Sequence, residues 1–266
     1  MSDKLLQGKW ALILGASSGF GAATAKALAA AGMNICGVHL DLRATLPQAK
    51  TVIAEIEAQG VKALFFNTNA ADPDRRTKVL DGLAAELGPG GVVHVMMHSL
   101  AFGSLLPFIA DDPDQAISQA QMEMTSNVMA HSLVYWTQDL VRRGMLGPGS
   151  RIFSMTSEGS QRVLPHYGAV SAAKAALESH TRQLALELGP RGILVNCINA
   201  GVTDTPALRK IPGNEMMIEM TLRRNPQGRL TTPEDVAATI VALSHPAVKF
   251  ISGSVIFVDG GESVAP

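Results

Sequence analysis

Tyr167 and Lys174, in the run Tyr-Gly-Ala-Val-Ser-Ala-Ala-Lys, are separated by six residues. On an α-helix that spacing is almost two turns, so both side chains project from nearly one face. A phenol held beside an ammonium is a proton-donating pair, because the cation favours the phenolate and lowers the tyrosine pKa. A second chemical feature lies far upstream, in Gly15-Ala16-Ser17-Ser18-Gly19-Phe20-Gly21, which runs into the Ala-rich Ala22–Ala31. Small residues there allow a sharp turn, a close approach of backbone to a pyrophosphate, and tight packing of the following helix. The free N–H groups of that helix start, with its dipole, make a phosphate site. The spacing is Gly-x3-Gly-x-Gly, not the commoner Gly-x-Gly-x2-Gly, and it predicts a dinucleotide.

The kind of dinucleotide is set by His39-Leu40-Asp41-Leu42-Arg43. Asp41 lies 20 residues beyond Gly21, near where an acid binds a ribose 2′-hydroxyl. Arg43 and His39 could instead meet a 2′-phosphate, and an ordinary polar loop is the third reading. Asp41 falls a little late for a strand-end carboxylate, which tilts the expectation to NADPH over NADH.

These residues need a frame to hold them. Short apolar runs at Trp10–Leu14, Asn34–His39, Lys62–Asn67, Val92–Met97, Arg151–Met155, Ile193–Ile198 and Ser254–Val258 read as strands. Helical stretches alternate with them at Gly21–Ala31, Pro47–Gln59, Pro73–Leu87, Ser126–Arg143, Val170–Leu188 and Pro233–Leu243. Thr232-Pro233-Glu234-Asp235 marks the last start with an N-cap, a first-turn proline and early acids. This alternation predicts an α/β fold: a single-domain, Rossmann-type, doubly wound parallel sheet of about seven strands with helices on both faces. Ligands then belong at the carboxyl ends of the strands. With no linker or repeat, the expected domain spans residues 1–266.

Composition excludes more than it assigns. The chain has 266 residues, 47% of them hydrophobic, and a net charge of −1 without a basic run, so neither nucleic acid nor an anionic membrane is expected. Cys36 and Cys197 sit in apolar runs and read as buried thiols. Seven histidines without paired ligand spacing predict no metal. No apolar run reaches membrane length and no leader pattern is present, so a soluble cytoplasmic protein is expected.

With the Gly-rich turn, Asn127 and the Tyr/Lys pair, the chain resembles the short-chain dehydrogenase/reductase family over nearly its full length. Asn196-Cys-Ile-Asn-Ala-Gly201, the following Thr205 and Val258-Asp-Gly-Gly261 also match. The family's usual signature is Tyr-x3-Lys, which would put the tyrosine where this chain has Val170. Tyr-x6-Lys is similar to the divergent branch containing bacterial enoyl-acyl-carrier-protein reductases. Two departures agree with that branch: His98-Ser-Leu-Ala-Phe-Gly103 replaces the usual Asn-Asn-Ala-Gly, and Ala200-Gly201 replaces Pro-Gly. Two features belong to ordinary members: Asn127, and Ser157 where many enoyl reductases carry an aromatic residue.

The resemblance implies NAD(P)H-dependent reduction of the trans-2 double bond of an enoyl thioester in fatty-acid synthesis, the acyl group carried on acyl carrier protein or CoA. A carbonyl/alcohol oxidoreductase and a 2,4-dienoyl-thioester reductase stay open beside it. It also implies roles. Tyr167 hydrogen-bonds the developing enolate oxygen, Lys174 binds the nicotinamide ribose hydroxyls, and Gly201, Val202 and Thr205 line the cofactor. Ser157 contacts the substrate carbonyl or orients the tyrosine; Thr156 is its rival, and a turn serine bonding its own backbone is the plainer reading. Asn127 holds a water behind Lys174 or makes a structural hydrogen bond. Asn69 contacts adenine and Ser99 lines the cofactor channel. A tyrosine moved three residues along a helix shifts by ~4.5 Å, about the offset between the β-carbon that takes hydride and the thioester oxygen that takes charge. Met216, Met217 and Met220 fall in a segment, around 203–228, that covers the acyl pocket in the family, unless they are ordinary packing. Homotetramers, common in the family, would pair through Ser126–Arg143, Val170–Leu188 and Val248–Pro266.

Overall fold

Seven strands whose residues are mostly apolar pair in parallel in the order β3-β2-β1-β4-β5-β6-β7. They are β1 (Trp10–Leu14), β2 (Asn34–His39), β3 (Ala63–Asn67), β4 (Val93–His98), β5 (Arg151–Thr156), β6 (Leu194–Ala200) and β7 (Val255–Val258). β1, β4 and β5 are buried throughout, as strands covered on both faces must be. Alternate residues feed two separate cores. Leu12, Leu14 and Met96 join Trp136 and Leu177 on one face. Ala11, Ile13 and Met97 join Leu28, Phe153 and Ile240 on the other. This is the period of two expected of a strand.

The helices are α1 (Gly19–Ala30), α2 (Leu46–Glu57), α3 (Pro73–Leu87), α4 (Gln119–Ser126), α5 (Ser132–Arg142), α6 (Gly168–Leu188), α7 (Asn214–Arg224) and α8 (Pro233–Leu243). The α8 start is as expected: the Thr232 side chain accepts from Asp235 N, and the Asp235 side chain accepts from Thr232 N. The computed structural model describes residues 4–265, so residues 1–3 and Pro266 of the expected 1–266 span lie outside the described residues. Within them the chain is one Rossmann-type domain. Cys36 and Cys197 are buried free thiols. Among the described residues no helix is long and apolar enough to cross a membrane.

Two expectations are corrected here. The stretch 126–143 is not one helix: α4 ends at Ser126, Asn127–His131 forms a π-helical turn, and α5 follows. The hydroxyl of Ser132 bonds back to Val128 O (2.8 Å), one of the side-chain bonds that let a helix widen locally. The methionine-rich stretch, expected only as an apolar segment, is helix α7, entered through Gly213 in the left-handed region at φ 78°.

Candidate active site

The order of strands reverses between β1 and β4, and the Gly-rich turn lies in that crevice. Gly15 has φ +91°, and a methyl group there would fall 2.4 Å from Ser99 O, the residue after β4. A methyl on Gly21 would fall 2.0 Å from Gly15 O, so the turn closes on itself only with glycine. Gly19, at φ +52°, faces Thr205 Cγ2, 3.6 Å from where its Cβ would stand. Gly15, Gly19, Gly21, Ser99 and Thr205 are thereby brought together. Ser18 caps α1 without a side-chain bond, and Phe20 packs on the α1–α8 core, so the amides of the first turn are left to a ligand. This cradle, too tight for side chains and lined by open N–H groups, fits a dinucleotide pyrophosphate.

At the end of β2, His39 Nδ1 lies 2.7 Å from Asp41 Oδ2, both side chains almost wholly buried. Burial pushes the Asp41 carboxyl up, but Thr45, Ser17 and His39 together hold it below its usual value. Ser17 belongs to the Gly-rich turn, so the Asp41 carboxylate stands beside it. Asn67, which sequence reasoning missed, fixes Asp41 by two 2.9 Å bonds, accepting from its N–H and donating to its carbonyl. Arg43 is exposed. Asn69 is exposed too, and its Oδ1 takes Ala71 N (2.9 Å).

Tyr167 does not share a helix with Lys174 in the expected way. It is the N-cap of α6, held just outside the helix at φ −100°, ψ 2°. The residue before it, His166, has φ 62° and is the one non-glycine in the left-handed region among the described residues. The ring rests on Gly159, where a methyl would fall 2.5 Å from Tyr167 Cε1. The expected lowering of the tyrosine pKa is reversed: burial raises it, and the nearby Ser157 hydroxyl offsets only part. Ser157 Oγ is buried and makes no well-aligned hydrogen bond, so it is not the self-bonding turn serine. Lys174, 6% exposed, donates to Met155 O (2.6 Å). Burial brings its pKa down to about 8, against the charges of Cys197 and Glu178. Thr156 donates its hydroxyl to the buried Glu178 (2.7 Å).

The position of the usual tyrosine is filled. Val170 is 4% exposed and belongs to the core, and a methyl on Gly103 would fall 3.0 Å from its Cγ2. The strand-four loop 99–103 thus lies packed on α6 and the π turn. His98 anchors that arrangement. Ser132 spends its one proton on Val128, so His98 Nε2–H donates to Ser132 Oγ (2.7 Å). Burial, with Lys174 nearby, takes the His98 pKa to about 3, and the ring is neutral. Asn127 opens the π turn, next to this contact. The N–H of Val202 is bonded to Glu262 Oε2 (3.0 Å), and Gly201 has no room for a methyl because the same carboxylate oxygen would lie 2.7 Å away. Among the described residues no group of three or more candidate ligands gathers for a metal.

A family model described as enoyl-(acyl carrier protein) reductase matches residues 15–263. The chain belongs to the short-chain dehydrogenase/reductase family. This oxidoreductase is 33% identical over 171 residues to the NADH enoyl-acyl-carrier-protein reductase of Aquifex aeolicus, a match covering 64% of this chain and 62% of that protein. It is 30% identical to a cyclohexanol dehydrogenase of Rhodococcus sp., with 98% of each chain covered. The solved structure of the Aquifex aeolicus reductase superposes with a TM-score of 0.84 at 26% identity, covering 98% of both chains. As a family member it takes a nicotinamide dinucleotide.

Proposed function

We propose that this reductase reduces the trans-2 double bond of an enoyl thioester with NADH, in the cytoplasm, as a step of fatty-acid synthesis. The observation that carries the reading is the pair Val170 and Tyr167: the ordinary tyrosine position is core, and the phenol sits one turn earlier at the mouth. Held in the glycine cradle, the dinucleotide would supply hydride to the β-carbon, and the resulting enolate would take its α-carbon proton from water or from Tyr167. Tyr167 donates a hydrogen bond to the thioester oxygen as charge develops there, a role strengthened in a site of low dielectric. With burial raising its pKa, Tyr167 is a protonated donor at neutral pH. Lys174, buried behind it, holds the ribose hydroxyls. Exposed apolar side chains suit an acyl chain: Phe108, which packs on Gly168 beside Tyr167, Val163, and Met216 and Met220 of α7. We take α7 within 203–228 as the cover of that chain, delivered on acyl carrier protein or CoA.

For the dinucleotide, geometry moves the expectation from NADPH to NADH. The Asp41 carboxylate is ionised, fixed by His39 and set beside Ser17, where it would accept from a ribose 2′-hydroxyl and repel a 2′-phosphate. The homotetramer is supported by exposed Phe257 on the free-edged strand β7 and by fully exposed Phe250. A carbonyl/alcohol oxidoreductase is the second reading, favoured by Ser157 beside Tyr167 and by the full-length likeness to a cyclohexanol dehydrogenase. The deciding assay follows NADH and NADPH absorbance with crotonyl-CoA, a longer trans-2-enoyl thioester and acetoacetyl-CoA. Turnover of the enoyl substrates is expected; turnover of the ketone alone would replace the first reading with the second.

A further inference from the structure

The C-terminal turn brings one carboxylate into the interior of the substrate side. Glu262 is 1% exposed. Its Oε2 accepts from Val202 N (3.0 Å), and its Oε1 accepts from Thr221 Oγ (2.8 Å) on α7. Arg224, one turn along the same helix, reaches Glu262 Oε1 and Glu158 Oε2, each at 3.4 Å. Glu158 stands between Ser157 and Gly159, and Gly159 carries the ring of Tyr167. Gly201 leaves the room that the Glu262 carboxylate occupies. A carboxylate is buried only where hydrogen bonds and a countercharge replace water, and here they come from the β6 loop and α7. The side facing β5 is different. Arg224 Nε, Glu158 Oε1 and Ser160 Oγ are buried without a hydrogen-bond partner, and Ser157 Oγ has only the Tyr167 hydroxyl beside it. Glu262 is thus held from both the β6 loop and α7, and Arg224 bridges it to Glu158 with 3.4 Å to each, while Glu158 Oε2 also lies 3.5 Å from Arg162 Nε.

We infer that Glu262 is a positioning residue that seats α7 on the β6 loop, and that Arg224 passes this position to Glu158 and so to the bed of Tyr167. The inference rests on the reading of α7 as the substrate cover. An acyl chain seated under α7 would fix Arg224 and, through it, Glu158. Substrate binding and the placing of the phenol are thereby one event.

The test uses the full chain with Glu262→Gln, which keeps the shape and removes the charge, and with Arg224→Gln and Glu158→Gln singly and together. Glu262→Gln is expected to raise KM for the enoyl thioester ~10-fold while the Kd of NADH changes less than ~2-fold. Hydrogen exchange of the α7 amides, 214–224, should quicken in the same variant without the thioester present. The Arg224/Glu158 double variant should lose less kcat/KM than the two single losses combined, since the contact between them is already gone in each single variant. Unchanged KM with unchanged exchange in α7 would overturn the inference, as would additive losses in the double variant. If the wild type turns over no thioester, the exchange measurement still decides the seating of α7, and the failure then lies with the proposed function. Should Glu262→Gln not fold, Thr221→Val removes one of its partners and is read in the same way.

Discussion

The nucleotide side and the substrate side of this site are built from different materials. At the ends of β1 and β2 the walls are backbone: the Gly15–Gly21 turn, the open amides of α1, and a loop clamped by Asn67. At the ends of β4, β5 and β6 they are side chains on loops, and the buried polar atoms that lack partners gather there. Among the described residues His98, Ser157, Glu158, Ser160, Asn199 and Arg224 have such atoms, against Thr24 alone near the nucleotide. Unpaired buried polar groups are costly and mark positions where a ligand or a motion completes the bonding. A backbone wall holds one invariant molecule, whereas a side-chain wall can be exchanged to change the substrate. That division explains how the chain resembles both an enoyl reductase and a cyclohexanol dehydrogenase.

The sharpest way to break this comparison is Tyr167→Phe. The variant should lose ~10²–10³-fold in kcat, the scale of one oxyanion donor, and keep its NADH affinity, because the two sides are separate constructions. Steady-state kinetics and NADH titration check it. Unchanged turnover would remove Tyr167 from the chemistry. Val170→Tyr, alone or added to Tyr167→Phe, puts the phenol in the ordinary place. It should not restore turnover and should lower stability by ~1–3 kcal/mol, since Val170 is buried against Gly103 and the core. Urea unfolding and the same assay decide. Restored turnover would mean that the substrate side is more forgiving than its packing.

Asp41→Ser sharpens the comparison from the nucleotide side. Removing the carboxylate should move the NADH-to-NADPH ratio of kcat/KM toward NADPH by ~10-fold, with the turnover of different thioesters left in the same order. A ratio that stays put would mean that the loop 39–43 does not read the ribose.

The same division accounts for what was legible. The strands are runs of apolar residues, and the glycine spacing is itself the shape of the backbone wall, so both are visible in a linear chain. Asp41 was visible, but its force was not, because Asn67 and Ser17 reach it from other strands. Tyr167 was visible by its spacing, yet its seat outside α6, on Gly159, depends on a loop that no periodicity encodes. The π turn at Asn127 goes with the bond from Ser132 back to Val128 O, and His98, 34 residues from Ser132, pins that hydroxyl. Glu262 looks like an ordinary acid after two glycines until the fold places Val202 and Thr221 on it.

The smallest effect tests Lys174, which lies where the two sides meet. Its folded pKa is about 8 against 10.5 in the unfolded chain, so the folded state gives up its proton first. Between those values the unfolded state binds the extra proton, and the lysine's contribution to stability rises with pH, having been least favourable below pH 8. Its contribution to activity has the opposite sign, because the ammonium donates to the ribose far more strongly than the neutral amine does. Activity should therefore fall on an alkaline limb near pH 8 while the midpoint of urea unfolding climbs. Titrating neighbours do not produce that crossing: His98 is neutral below this range, Tyr167 is raised by burial, and the Cys197 thiol is pushed up to about 11. Glu178→Gln removes the carboxylate that supports the ammonium and should move the limb to lower pH. A limb that stays in place in this variant while stability falls would show Glu178 holding Thr156 and the end of β5, with no part in the charge of Lys174.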